Sequence, residues 1–186
     1  MQEANNILKI LRETEGAFKK KDAMKLKELS NQMIHTSSRT QDADNISVAV
    51  IVYSLGKIIE RERYRNYLGY KNLEKMILFS LKKSIQNIQK DDLKDFRKNL
   101  ENIRKQISKL SGKLKKYIKE VFDKAKVNKA SRIYEHGVSM ERTAKLLGIS
   151  MWDLASYAGQ TGIADVKEAK TMSAKERIKL MEGLFV

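Results

Sequence analysis

The chain has 186 residues, enough for one large or two small domains, and is 41% hydrophobic, with no cysteine, no proline and only nine glycines. Disulfides, thiol nucleophiles and thiolate metal sites are excluded, and with so little turn punctuation an all-α fold is expected. Net charge is +15, from 38 Lys and Arg against 23 Asp and Glu, which suits a polyanionic partner; a lysine-rich solvated surface is the plain alternative.

The opening MQEANNILKILRE is charged and amphipathic, unlike a signal peptide. No apolar run approaches the roughly eighteen residues that span a bilayer, so a cytoplasmic protein without membrane contact is expected. Residues 3–20 read as a first helix with Ile7, Leu8, Ile10, Leu11 and Phe18 on one face, interrupted near Lys19, Lys20 and Lys21. Asp22 is a good N-cap for a second helix to about Ser38, with Met24, Leu26, Leu29, Met33 and Ile34 apolar, and residues 36–40 read as a loop or frayed end.

Asp42 or Asp44 can cap a third helix, NISVAVIVYSLGKIIERERYR, whose first half is apolar on nearly every side. That marks the most buried helix of a bundle, and the absence of a partner strand argues against the β reading of its Val/Ile run. Tyr64, Tyr67 and Tyr70 then interleave with Arg61, Arg63 and Arg65 around Gly69. Such residues can stack on single-stranded nucleic acid, or cover the end of a bundle while the arginines solvate it; the second is the expected use. A fourth helix over about 72–89 carries Leu73, Met76, Ile77, Phe79, Leu81, Ile85 and Ile88.

From Leu93 to Val121 apolar residues alternate spacings of three and four through Phe96, Leu100, Ile103, Ile107, Leu110, Leu114 and Tyr117, a seam of about four heptads. One long basic helix is predicted, with Gly112 marking a bend. Its seam packs on the chain's own bundle or, in a homodimer, on a second copy; the four preceding helices that need covering favour the first.

Residues 130–165, ASRIYEHGVSMERTAKLLGISMWDLASYAGQTGIAD, read as a helix, a tight turn and a second helix. Ala144 falls where the helices cross and Gly148 at the corner, where positive φ is needed. Ile149, Leu154 and Tyr157 face Thr143 and Leu147, and Ser150 caps the second helix with Asp153 placed to return the hydrogen bond. Several independent requirements thus agree with a helix-turn-helix of the kind that docks in a DNA major groove. A capping box at Ser173 and Glu176 opens a last helix ending in Leu180, Met181, Leu184 and Phe185, which needs an apolar groove. The expected division is a helical bundle over 1–127 and a helix-turn-helix domain over 128–186.

Arg132, Tyr134, Gly137, Ser139, Ala144, Leu147, Gly148, Ile149, Ser150, Leu154, Gly162 and Ile163 together resemble the core pattern of a family of small prokaryotic antitoxin-type proteins. In that family a helix ending in Tyr-x-x-Gly leads into a Ser-capped helix-turn-helix and a Gly-Ile. Its members are often encoded beside PIN-domain nuclease toxins that they are thought to restrain. The resemblance covers about a fifth of the chain and implies a non-enzymatic DNA-binding regulator of transcription, with a nuclease toxin as partner.

The second helix would face a DNA groove with Ser150, Met151, Trp152, Ala155, Ser156, Gly159 and Gln160, of which none is Arg, Lys or Asn, the strongest base readers. Trp and Met suit a protein groove better, so a protein-interaction adaptor is the second reading. Arg142, Lys145, Lys126, Lys129 and Arg132 are placed to hold phosphates. The set expected at a DNA interface is therefore Arg142, Lys145, Ser150, Met151, Trp152, Ser156, Gln160, Lys126, Lys129 and Arg132, with no catalytic residue, metal or cofactor. An RNA-binding bundle similar in shape to HEPN domains is the remaining alternative. The Arg, four to six residues, then His of HEPN ribonucleases is not met, since Arg132 and His136 have only three residues between them.

Overall fold

The computed structural model describes residues 3–109 and 112–161. The described residues are helical, without strands: α1 (Ala4–Lys20), α2 (Ala23–Thr40), α3 (Ala43–Glu60), α4 (Tyr70–Gln89), α5 (Leu93–Lys109), α6 (Gly112–Glu135), α7 (Met140–Leu147) and α8 (Met151–Gln160), with a short 3-10 turn at Glu62–Asn66 between α3 and α4.

Polar groups start these helices where the sequence places them. The Asp22 carboxylate accepts from the Lys25 amide at 2.9 Å to open α2, and Asp42 accepts from the Asp44 amide at 2.8 Å to open α3. α2 runs on through residues 36–40 to Thr40, so the expected loop there is helix. Ser37 and Thr40 return their hydroxyls to carbonyls one turn back, and Gln41 closes the helix in the left-handed conformation. α3 stops at Glu60, short of the predicted Arg65.

α3 is the centre of the molecule, touching α1, α2, α5, α6 and α7. Val48, Ala49, Val52 and Leu55 are wholly buried along it, as an all-round apolar helix requires. Ser30 of α2 donates to the Ala49 carbonyl at 2.8 Å, and Arg97 of α5 grips the buried Asp44 carboxylate with two bonds of 2.9 Å. The helical stripes place most apolar residues correctly. Met24 and Phe79 are exceptions, 74% and 55% exposed, with the Lys83 ammonium lying over the Phe79 ring.

The predicted single seam is divided. Gly112 has φ of +59°, a conformation α-helix does not contain, so α5 and α6 are separate helices and the long helix of the sequence reading does not form. α5 packs chiefly on α4, whereas α6 lies against α3 and carries α7 and α8. The described seam residues Phe96, Leu100, Ile103, Leu114 and Val121 are buried within the chain's own core. α6 runs unbroken through residues 127 and 128, and one core cluster extends from Ile7 to Leu154. The expected C-terminal helix, the Gly162-Ile163 pair and Leu110 lie outside the described residues.

Tyr64 is fully buried and stacks on Tyr117 at 5.6 Å, with Arg63 over both rings. The tyrosine cluster closes one end of the bundle, and its innermost ring offers no face to a base.

Candidate functional site

The site is built from the end of α6, the two short helices and the corner between them. α6 ends where Gly137 takes φ of +86° and its amide donates to the Tyr134 carbonyl at 2.9 Å. Ser139 then caps α7, its hydroxyl accepting from the Arg142 amide at 3.3 Å. Gly148 turns the corner at φ of +61°, and the next amide, Ile149, donates back to the Ala144 carbonyl at 3.1 Å. Ala144 is 3% exposed, buried where α7 meets the rest of the chain.

Ser150 opens α8 with a reciprocal pair. Its hydroxyl accepts from the Asp153 amide at 3.0 Å and donates to the Asp153 carboxylate at 2.6 Å. In a capping box the carboxylate would take the cap's own amide; the shorter Asp takes the hydroxyl instead. Ser150→Ala should cost about 1 kcal/mol, visible as faster hydrogen exchange of the Asp153 amide with little change elsewhere.

On its inner side α8 is held by Leu154 and Ala158, both buried, and by the Tyr157 hydroxyl, which accepts from the Asn128 side chain of α6 at 3.0 Å. Its outer side faces solvent: Met151 is 52% exposed, Trp152 82%, and Ser156 and Gln160 are also exposed.

The cations expected to hold phosphates divide. Lys145 is exposed on α7. Arg142 is exposed with its Nε donating to Gln41, the residue that closes α2, at 3.2 Å, and Arg132 is paired with Glu135 at 3.1 Å. Lys126 is half-buried. Lys129 is withdrawn from the interface altogether, at 1% exposure, and its assignment as a phosphate contact is corrected. Its ammonium donates to Asn31 of α2 at 3.0 Å and lies 4.1 Å from the centre of the Tyr53 ring. Burial, reinforced by the charges of Arg132 and Lys57, lowers its pKa to about 8. Its place is legible in retrospect: Ile118, Phe122, Ala125, Lys129 and Ile133 follow helical spacing, so Lys129 occupies an apolar position.

Five of the expected residues, Lys126, Ser150, Trp152, Ser156 and Gln160, meet along one groove of about 850 Å³ between α8 and the α3–α6 pair. The sequence reading missed the other wall, with Tyr53, Lys57 and Arg61 on one side and Lys124 on α6. Only Lys57 and Arg61, four residues apart, hinted at a shared helical face.

His35 and His136, the chain's only histidines, meet edge to face at 5.5 Å across the α2–α6 contact. Among the described residues no group of three or more acidic or histidine side chains is placed to hold a metal ion, and no helix is long and apolar enough to cross a membrane. Comparison with protein-family models, curated proteins and solved structures returned no match.

Proposed function

We propose that this chain is a non-enzymatic DNA-binding protein of antitoxin or transcription-regulator type, in which α7 and α8 form the helix-turn-helix. The observation that carries the reading is the division of α8 into an anchored side, Leu154, Ala158 and Tyr157, and an outward side, Met151, Trp152, Ser156 and Gln160, that is exposed to solvent. Arg142, Lys145 and Lys126 hold phosphates and position the module, while Ser156 and Gln160 supply the polar contacts to base edges. A nuclease toxin, as the antitoxin resemblance implies, is the protein partner in this reading.

A second reading is favoured by one specific observation: Trp152 and Met151 are the exposed large apolar residues of α8, and its outer face carries no Arg, Lys or Asn. That composition fits a protein-interaction adaptor.

Fluorescence anisotropy with duplex DNA from upstream of the gene separates the two. DNA binding through about three phosphate contacts predicts a log–log salt slope of about −3, reduced by about 1 in Lys145→Ala. Lys129→Met should leave the slope unchanged because that ammonium is buried. Absence of duplex binding at low salt, together with loss of a co-purified partner in Trp152→Ala, would replace the first reading with the second.

A further inference from the structure

We propose that the groove between α8 and the α3–α6 pair is a binding site for a small anionic ligand with an aromatic or apolar body, and that its occupancy regulates the helix-turn-helix. The binding half stands on the groove's own geometry; the regulatory half rests on the DNA-binding reading above.

The groove's size, about 850 Å³, lies within the range of small-molecule sites. Its lining brings together three rings, Tyr53, Tyr157 and the exposed Trp152, with the aliphatic Val121, Val127 and Ile149. Its lining carries four cations, Lys57, Arg61, Lys124 and Lys126, and two carboxylates, Asp123 and Asp153, with Glu60 and Glu120 beside two of the lysines. Asp153 is already occupied by the Ser150 hydroxyl, so one of the two carboxylates is bound within the α8 cap.

The same cations limit how much negative charge the groove can accept. Lys57 is paired with Glu60 at 2.8 Å and Lys124 with Glu120 at 2.7 Å, both at the protein surface. An incoming anion can share these partly neutralised ammonium groups, but a run of phosphates would need a track of uncommitted ones. One anionic group attached to a ring fits this balance better than a nucleic-acid strand. Rings pack against the tyrosines and tryptophan, and the anion takes the cationic side.

Position supplies the regulatory consequence. One wall of the groove is scaffold, α3 and α6, and the other is α8 itself, through Trp152, Ser156, Tyr157 and Gln160. A ligand bridging the walls favours one setting of α8 relative to the scaffold, and its affinity must then change when DNA engages α8, by the same factor in each direction.

The probe for the test is 8-anilinonaphthalene-1-sulfonate, an anion on fused rings, titrated into the full chain without DNA. Trp152 is the chain's only tryptophan and lines the groove, so its quenching reports binding. The expected result is saturable one-to-one quenching, weakened roughly fivefold in Lys57→Ala/Lys124→Ala with the unfolding midpoint nearly unchanged. Leu68→Ser/Phe79→Ser, which removes exposed apolar side chains elsewhere, should leave it unaltered. Absence of saturable quenching, indifference to the lysine changes, or loss in the Leu68/Phe79 variant would overturn the site. Duplex affinity is then measured with the probe absent and saturating. A change of about threefold or more is expected, and an unchanged affinity, or no duplex binding at all, would overturn the regulatory half while leaving the site decided by the first titration.

Discussion

Raising the pH from about 8 to about 10 should stabilise this protein by about 2–3 kcal/mol, against the common decline at alkaline pH. The cause is Lys129. Its pKa is lowered to about 8 in the folded chain, first by burial and then by Arg132 and Lys57, whereas the unfolded chain restores the ordinary value of 10.5. Between those values the unfolded state binds more protons than the folded one, so stability rises with pH, and the gain is complete once both states are neutral. Below about 8 the ammonium is charged in both states and contributes no slope. Lys21 is also lowered by burial and acts in the same direction, whereas Tyr53, raised first by its burial, opposes it above about 10. The window to read therefore ends near pH 10, and a variant is needed to isolate Lys129.

Lys129→Met keeps the length of the side chain and removes the charge. It should abolish most of the rise and leave the protein equally or more stable at pH 7, since a buried ammonium with one neutral acceptor and a ring face is poorly compensated for lost hydration. Asn31 is exposed, so its amide oxygen can take water when the lysine is gone. Urea unfolding at pH 7.5, 9 and 10, followed by circular dichroism, is the measurement. A flat or falling profile for the parent chain, or an undiminished rise in Lys129→Met, would contradict the assignment.

Leu154→Ala should cost about 2–5 kcal/mol, the range for a leucine removed from a closed core site. Leu154 is 0% exposed and is the largest fully buried side chain on α8, so the loss falls on the attachment of a ten-residue helix. An isolated helix of that length does not persist in water. The change should therefore appear first as rapid hydrogen exchange throughout α8, while the amides of α3 stay protected, and, on the DNA-binding reading proposed above, as the loss of duplex binding. Leu154→Met, which conserves volume, should cost less than about 1.5 kcal/mol and retain both properties. Equal exchange in α3 and α8 of the alanine variant would mean that the helix-turn-helix unfolds only with the whole molecule.

Much of the architecture is written locally. Asp22, Asp42, Ser139 and Ser150 each sit where a helix begins and bond an amide two or three residues on. Gly148 takes the left-handed corner that its place between two apolar helical runs requires. These features involve neighbours within a turn, so the order of residues contains both partners. The seam across residues 93–121 shows where that reading fails. Its spacing is correct for one helix, yet Gly112 adopts positive φ, and the two halves pack on different partners, α5 chiefly on α4 and α6 on α3.

The amino-acid sequence by itself determined the all-helical class, the helix starts capped by Asp22, Asp42 and Ser150, and the corner of the helix-turn-helix, because caps, periodicity and a positive-φ glycine are interactions of the chain with its own next few residues. Only the tertiary structure decided which cations can meet a ligand. Lys129 and Lys145 look alike as letters, but Lys129 is held by Asn31, a residue 98 positions away, and by the Tyr53 ring of a third helix. A lysine's hydration is lost or kept according to what the rest of the chain brings against it, and the groove that gathers Lys126 and Trp152 with Tyr53 and Lys57 exists only once α3, α6 and α8 have packed.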